Sequence, residues 1–235
     1  AAPATRYALP VPADARRVLA AGWLALAICA LLGSGLFAIL LVLSRAPYVK
    51  DVFPLVDFFR VALVVHVDLS VLVWFSAFAG LLWSLHGAPR LVWLGWAGLA
   101  GATAATLAMC AAPFIDSGVP LMSNYIPVLD GSLFLRALVL FAVSCALVVG
   151  RALAAAPRIG TRPDGAAALR FGLNAAAISA AVALLAFAWS YAAVPAGIEA
   201  DAMATLSRAA DGDARRALNL LEIALDLARA GGGVI

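Results

Sequence analysis

His66, Asp68 and Ser70 stand close together inside an otherwise apolar run, residues 58–85, FFRVALVVHVDLSVLVWFSAFAGLLWSL. A helix needs about 20 apolar residues to cross a bilayer, and this run is long enough. An ionisable group within such a helix is costly, so its presence marks a functional site by default. Imidazole is the side chain here that is uncharged near neutral pH and still offers a strong nitrogen donor to a metal or a haem iron. Position alone leaves two readings of His66 open: a ligand or proton relay, or a structural hydrogen bond to a neighbouring helix.

The neighbours of His66 are placed by helical period. Ser70 follows four residues later on the same face, where its hydroxyl reaches backbone or ligand. Asp68 lies about 200° around the helix from His66, so the two do not share a face. It is expected to bridge to Arg136 or, as an alternative, to relay protons. Arg60 near one end of this helix and Arg136 near the same end of a later one are candidates to pair with haem propionates, as guanidinium does with carboxylate. Headgroup snorkelling is the alternative for Arg60. The second histidine, His86, falls at the far end of the segment and reads as a solvated turn residue.

The elements that position these residues follow from composition. The chain has 235 residues, 65% hydrophobic and 12% charged, with a mean hydropathy of +1.03. A soluble globule carries about 25% charged residues, so this is an integral membrane protein in contact with the lipid bilayer. The net charge of +3 comes from arginines in short loops, which reports topology and not nucleic-acid binding. Cys29, Cys110 and Cys145 lie in apolar runs without metal-site spacing and read as packing residues. No Cys-x-x-Cys-His occurs, which excludes covalently attached haem on this chain.

The predicted fold class is all-α, a polytopic membrane bundle of five complete helices and a partial sixth. An aqueous tail, 1–17, precedes helices at about 18–43, 58–85, 91–112, 132–155, 167–194 and 217–235. Gly33-Ser34-Gly35 in the first helix is a close-approach signal of small residues, and Trp93 and Trp96 suit an interfacial anchor. Residues 113–130 form a proline-rich loop apolar enough to lie over the protein. A polar stretch, 196–216, precedes the last run, which carries Glu222 and Asp226 four residues apart. The chain starts without methionine and stops inside an apolar run, as expected of part of a longer protein.

Arginine placement orients the set. The tail, the 87–90 turn and the 151–170 connection fall on one side and hold most of the loop arginines, so that side, with the N-terminus, is expected to be cytoplasmic in a bacterial inner membrane. His66 then lies about 12 Å below the outer boundary at Phe58.

The stretch FRVALVVHVDLSVLVWFSAFAGLLWSL resembles the second helix of catalytic subunit I of the haem–copper respiratory enzymes, in particular the nitric oxide reductases and the cbb-type cytochrome c oxidases. The shared features are the upstream arginine, the core His-Val-Asp-Leu-Ser-Val-Leu-Val-Trp-Phe and its depth. NYIPVLDGSLFLR, 124–136, is similar to the stretch entering that family's fourth helix. The match covers about a quarter of the chain, while helix count and spacing agree throughout. The resemblance implies that His66 is an axial ligand of a low-spin haem b, with Arg60, Arg136 and Ser70 nearby. It further implies an electron-transporting oxidoreductase with other membrane subunits and a periplasmic donor such as cytochrome c. The family's remaining ligands, for a second haem and for copper, lie from the sixth helix onward, and this chain has two histidines in all. It can therefore supply one ligand to the low-spin haem and no copper site. The alternative is a non-catalytic or degenerate membrane subunit that binds no haem, in which His66, Asp68 and Arg136 form a polar network.

Overall fold

A computed structural model describes residues 11–47, 58–122, 127–159 and 165–193, with five single positions between 205 and 223. Residues 48–57 of the connection expected at 44–57, the segment 196–216 and the sixth run with Glu222 and Asp226 lie outside the described residues or almost wholly so. Five helices in the described chain are long and apolar enough to cross a membrane. We number them α1 (Ala15–Leu43), α2 (Phe58–His86), α3 (Val92–Ile115), α4 (Ser132–Ala154) and α5 (Gly165–Ala193). The protein is an all-α bundle, as its hydropathy requires.

The boundaries differ from those expected by one to three residues, for local reasons. α1 begins earlier because the Asp14 carboxylate accepts from the Arg16 backbone N–H, an N-cap that satisfies one orphan donor. α3 runs past Pro113 to Ile115. A proline there removes one donor to the preceding turn, and the helix ends within three residues.

Helices approach closely where side chains are small. A Cβ at Gly80 would lie 2.6 Å from Trp23 Cδ2, and one at Gly98 would lie 2.6 Å from Val148 Cγ2. In lipid no hydrophobic force presses helices together, so such fits carry the association. α1 packs on α2, and α3 packs along α4, with α5 against α4 and joined to α2 where Trp83 Nε1 donates to Leu173 O at 3.1 Å. Buried hydroxyls bond back into their own helices, Ser84 to Gly80 O at 2.7 Å and Thr106 to Ala102 O at 2.7 Å, which satisfies these two donors within the helix.

Two differently built ends close the bundle. At one, Phe58 of α2 and Phe37 of α1 lie 6.1 and 6.3 Å from the Phe114 ring of α3. Residues 116–122 and 127–131 lie at this end, with a two-strand pair, β1 (Pro120–Leu121) antiparallel to β2 (Val128–Leu129). Leu129 is fully buried, so the described part of the loop packs on the bundle. Its approach to α4 is tight: Gly118 takes a φ of +61° with Asp130 against it, a conformation that suits glycine. At the other end meet the start of α1, the 87–91 turn and the last turn of α4. The Ala88 N–H donates to Ala155 O at 2.8 Å and Arg90 Nη2 to Ala154 O at 3.3 Å. Arg16, Arg90 and Arg151, all expected on one side of the membrane, are therefore gathered at one end of the bundle.

Candidate functional site around His66

α2 is not uniform. Residues Asp68–Val73 form a π-helical segment between α-helical stretches Phe58–Val67 and Trp74–His86. Such bulges concentrate at functional sites, because they shift the hydrogen-bond ladder and free a carbonyl for other donors. Here the carbonyl of His66 accepts two hydroxyls, Ser70 at 2.8 Å and Ser34 at 3.0 Å.

Ser34 also fixes the imidazole. Nδ1 of His66 lies 2.9 Å from both Ser34 Oγ and the Ser34 backbone carbonyl. A carbonyl oxygen can only accept, so Nδ1 must carry the proton. The Ser34 hydroxyl proton is then spent on the His66 carbonyl, and its oxygen shares the Nδ1–H. In its neutral form the ring then has its lone pair on Nε2. Among the described residues Nε2 has no hydrogen-bond partner, and the residue is half-buried. A nitrogen in that state can accept a hydrogen bond or a metal.

The remaining site residues fall as follows. Ser70 sits beside His66, and its hydroxyl proton goes to the His66 and Val67 carbonyls, so it bonds the backbone of its own helix. Arg60 and Arg136 are exposed. Arg136 acts on Asp116, whose carboxylate accepts the Ser132 hydroxyl and N–H, both at 2.9 Å, and so caps α4. The Ser132 hydroxyl, then the Leu133 N–H, with a smaller contribution from the Arg136 charge, hold the Asp116 carboxyl below the usual carboxylate range.

Asp68 is 1% exposed, and neither carboxylate oxygen has a hydrogen-bond or ionic partner among the described residues. The expected bridge from Asp68 to Arg136 is absent. Depth explains this: Asp68 lies ten residues into α2 and Arg136 four into α4, a mismatch of about 9 Å along parallel axes. The polar network of His66, Asp68 and Arg136 is likewise not formed; the one that exists joins Ser34, His66 and Ser70.

His86 is also placed differently from expectation. It is the last residue of α2, half-buried, with Nδ1 3.0 Å from Leu82 O and Nε2 enclosed without a partner. It stands 20 residues from His66, about 30 Å along the helix. The two histidines cannot share an iron. Among the described residues no three His, Cys, Asp or Glu side chains gather as a metal site. A single axial ligand needs no such cluster, and among the described residues no second histidine stands near His66.

Sequence reasoning missed Ser34. Between two glycines it reads as a packing residue, and Gly33 does pack, with a Cβ position 3.2 Å from Leu69 Cδ1. The available signal was its depth, which places it opposite His66 if α1 and α2 are antiparallel neighbours.

No protein-family model matches the chain, and no solved structure matches it. A stretch of 74 residues is 38% identical to the "Uncharacterized protein RP382" of Rickettsia prowazekii (strain Madrid E), covering 32% of this chain and 14% of that protein. The chain thus matches about one seventh of that relative's length, and the printed name carries no activity.

Proposed function

We infer that the chain is the haem-holding part of a bacterial respiratory membrane oxidoreductase, with His66 as one axial ligand of a low-spin haem b. The observation that carries the reading is the hydrogen bonding of the imidazole: Nδ1–H fixed on Ser34, and Nε2 without a partner among the described residues. A bound haem would supply one-electron chemistry between a periplasmic donor such as cytochrome c and an oxygen- or nitric-oxide-reducing centre on other residues or subunits. The task of this chain is to hold its ligand in one tautomer and one rotamer and to place it at a fixed depth. The Nδ1–H bond raises the basicity of Nε2. The exposed arginines Arg60 and Arg136 are the propionate partners in this reading, and the arginine-rich end, with the N-terminus, faces the cytoplasm.

The test is a reduced-minus-oxidised optical spectrum of the purified full-length protein, repeated on His66→Ala. Low-spin bands in the wild type that vanish in the variant are the expected result. An unchanged low-spin spectrum in His66→Ala rejects the assignment.

A second reading is favoured by the same hydrogen bonds. Ser34, His66 and Ser70 tie α1 to α2, so His66 serves as helix glue in a membrane subunit that binds no haem. A wild-type protein without haem bands and a His66→Ala variant of lowered thermal stability support this reading instead.

A further inference from the structure

The strand pair at the Phe58 end of the bundle has two apolar faces, and the bundle uses one. Residues directly opposite in an antiparallel pair share a face, so Pro120 and Leu129 lie on one side and Leu121 and Val128 on the other. Leu129 is fully buried, which makes its side the inner one. Val119 joins the outer side, two residues from Leu121; its carbonyl accepts the Asp130 N–H at 2.9 Å and extends the ladder. Val119 and Leu121 are 65% and 45% exposed. They continue an exposed apolar surface begun in the last turn of α3, where Phe114 and Ile115 are 64% and 72% exposed. Apolar surface that runs on in this way marks contact with a partner or a membrane, whereas single exposed side chains do not.

Depth decides what covers it. Trp93 and Trp96, near the start of α3, are exposed, and indoles there anchor at headgroup level. Ile115 lies 19 residues beyond Trp96, about 28 Å along the helix, against a hydrocarbon core about 30 Å thick. The last turn of α3 therefore reaches the opposite boundary. The headgroup zone adds roughly 5–8 Å on each side, and paired strands lie about 4.8 Å apart. A strand pair that starts at this boundary and is held to the bundle through Leu129 stays within that zone. Residues 91–135 contain no lysine or arginine, whose hydration would draw the strands toward water. Their two acids stand at the junctions with the helices: Asp116 caps α4 through Ser132, and Asp130 follows β2.

We propose that this strand pair is an interfacial membrane anchor: Ile115, Val119 and Leu121 enter the headgroup–acyl boundary of the leaflet at this end, and phospholipid covers the outer face. Apolar faces of surface-lying elements bury themselves at this level of the bilayer. The anchor is independent of the His66 reading, because it uses none of the residues around the imidazole.

Spin-label accessibility in phosphatidylcholine vesicles tests the proposal, on the full-length protein with Cys29, Cys110 and Cys145 replaced by alanine. Nitroxides are placed at Val119→Cys and Leu121→Cys, with Leu107→Cys of α3 as the lipid-facing reference and Ala13→Cys of the tail as the aqueous one. Oxygen concentrates among acyl chains and a neutral nickel chelate in water, so the ratio of their collision rates reports depth. Both strand sites should give a ratio severalfold above that of Ala13→Cys, on the side of Leu107→Cys. Ratios equal to that of Ala13→Cys place the strands in water and overturn the anchor. Carbene labelling of the unsubstituted protein, by an aryl diazirine dissolved in the same vesicles, gives a second reading if the cysteine-free protein does not fold. Insertion into 117–122 at a yield near that of the exposed residues of α3 is expected, and a yield as low as that of 11–14 overturns the anchor. If the outer face instead serves a water-soluble partner domain, the strands of the isolated protein face water and both measurements return the aqueous value.

Discussion

Ser34→Ala isolates the contact on which the haem reading depends. The hydroxyl stands 2.9 Å from Nδ1 of His66 and 3.0 Å from the His66 carbonyl, but it has one proton and so makes one donated bond while sharing the Nδ1–H. The variant keeps the Ser34 backbone carbonyl at 2.9 Å from Nδ1, so the tautomer persists and the ring is held by one oxygen instead of two. The His66 carbonyl keeps the Ser70 hydroxyl. The loss is therefore about one net hydrogen bond, ~1 kcal/mol, or ~0.6 kcal/mol if the membrane average applies. Transmitted wholly to the ligand, 1 kcal/mol is roughly a fivefold change in an equilibrium constant, near the lower limit of the tenfold to hundredfold seen when outer partners of metal-bound histidines are removed. The assay is haem retention through detergent washing together with the midpoint potential of the low-spin bands, in Ser34→Ala against wild type. Faster haem loss and a shifted potential with the helical circular dichroism unchanged are expected. Retention and potential identical to wild type would refute the argument that Ser34 sets the ligand.

Asp68→Asn should leave any haem spectrum unchanged, because Asp68 touches neither His66 nor Ser34, and its melting temperature should match or exceed wild type since an unpartnered buried carboxylate is removed. Gly80→Val should lower the melting temperature by an amount equivalent to about 1–3 kcal/mol, because a Cβ there meets Trp23 at 2.6 Å. Gly35→Ala meets nothing within 4 Å and should stabilise by up to about 1 kcal/mol through helix propensity alone. Asp116 is held below its ordinary value by Ser132, so its contribution is present above the usual carboxylate value near 4 and is lost as pH falls through the lowered one. Acid titration of wild type should therefore show a loss of stability below about pH 4 that is reduced in Asp116→Asn.

The spans were legible because length and apolarity alone decide what crosses a bilayer, and α1 to α5 follow that rule to within a turn. His66 was legible for the same reason in reverse, since a polar residue stands out against hydrocarbon. The π segment after it was not, because a shift from α- to π-type hydrogen bonds leaves no mark in an apolar run. Ser34 was hidden by its glycines. Arg151 was read as a loop-flanking charge, since the rule that counts arginines near helix ends does not distinguish a solvated guanidinium from one buried beside Gly95. The Asp68–Arg136 bridge failed on depth, a quantity the helix boundaries already contained.

The two readings of His66 divide on one nitrogen. A histidine serving only as glue between helices has reason to use both ring nitrogens, because an unpartnered one in hydrocarbon forfeits a hydrogen bond that water would have supplied. Here Nδ1 faces two oxygens of α1, while Nε2 faces none among the described residues. The asymmetry asks for something at Nε2, whether an iron or a donor from another chain. These differ in what they demand of the ring: an iron needs the lone pair and is indifferent to water, whereas a protein donor at Nε2 must be brought by a second helix docking on this face of α2. A protein that is monomeric, stable and without haem bands would satisfy neither, and His66 would then stand in lipid with its lone pair unmet.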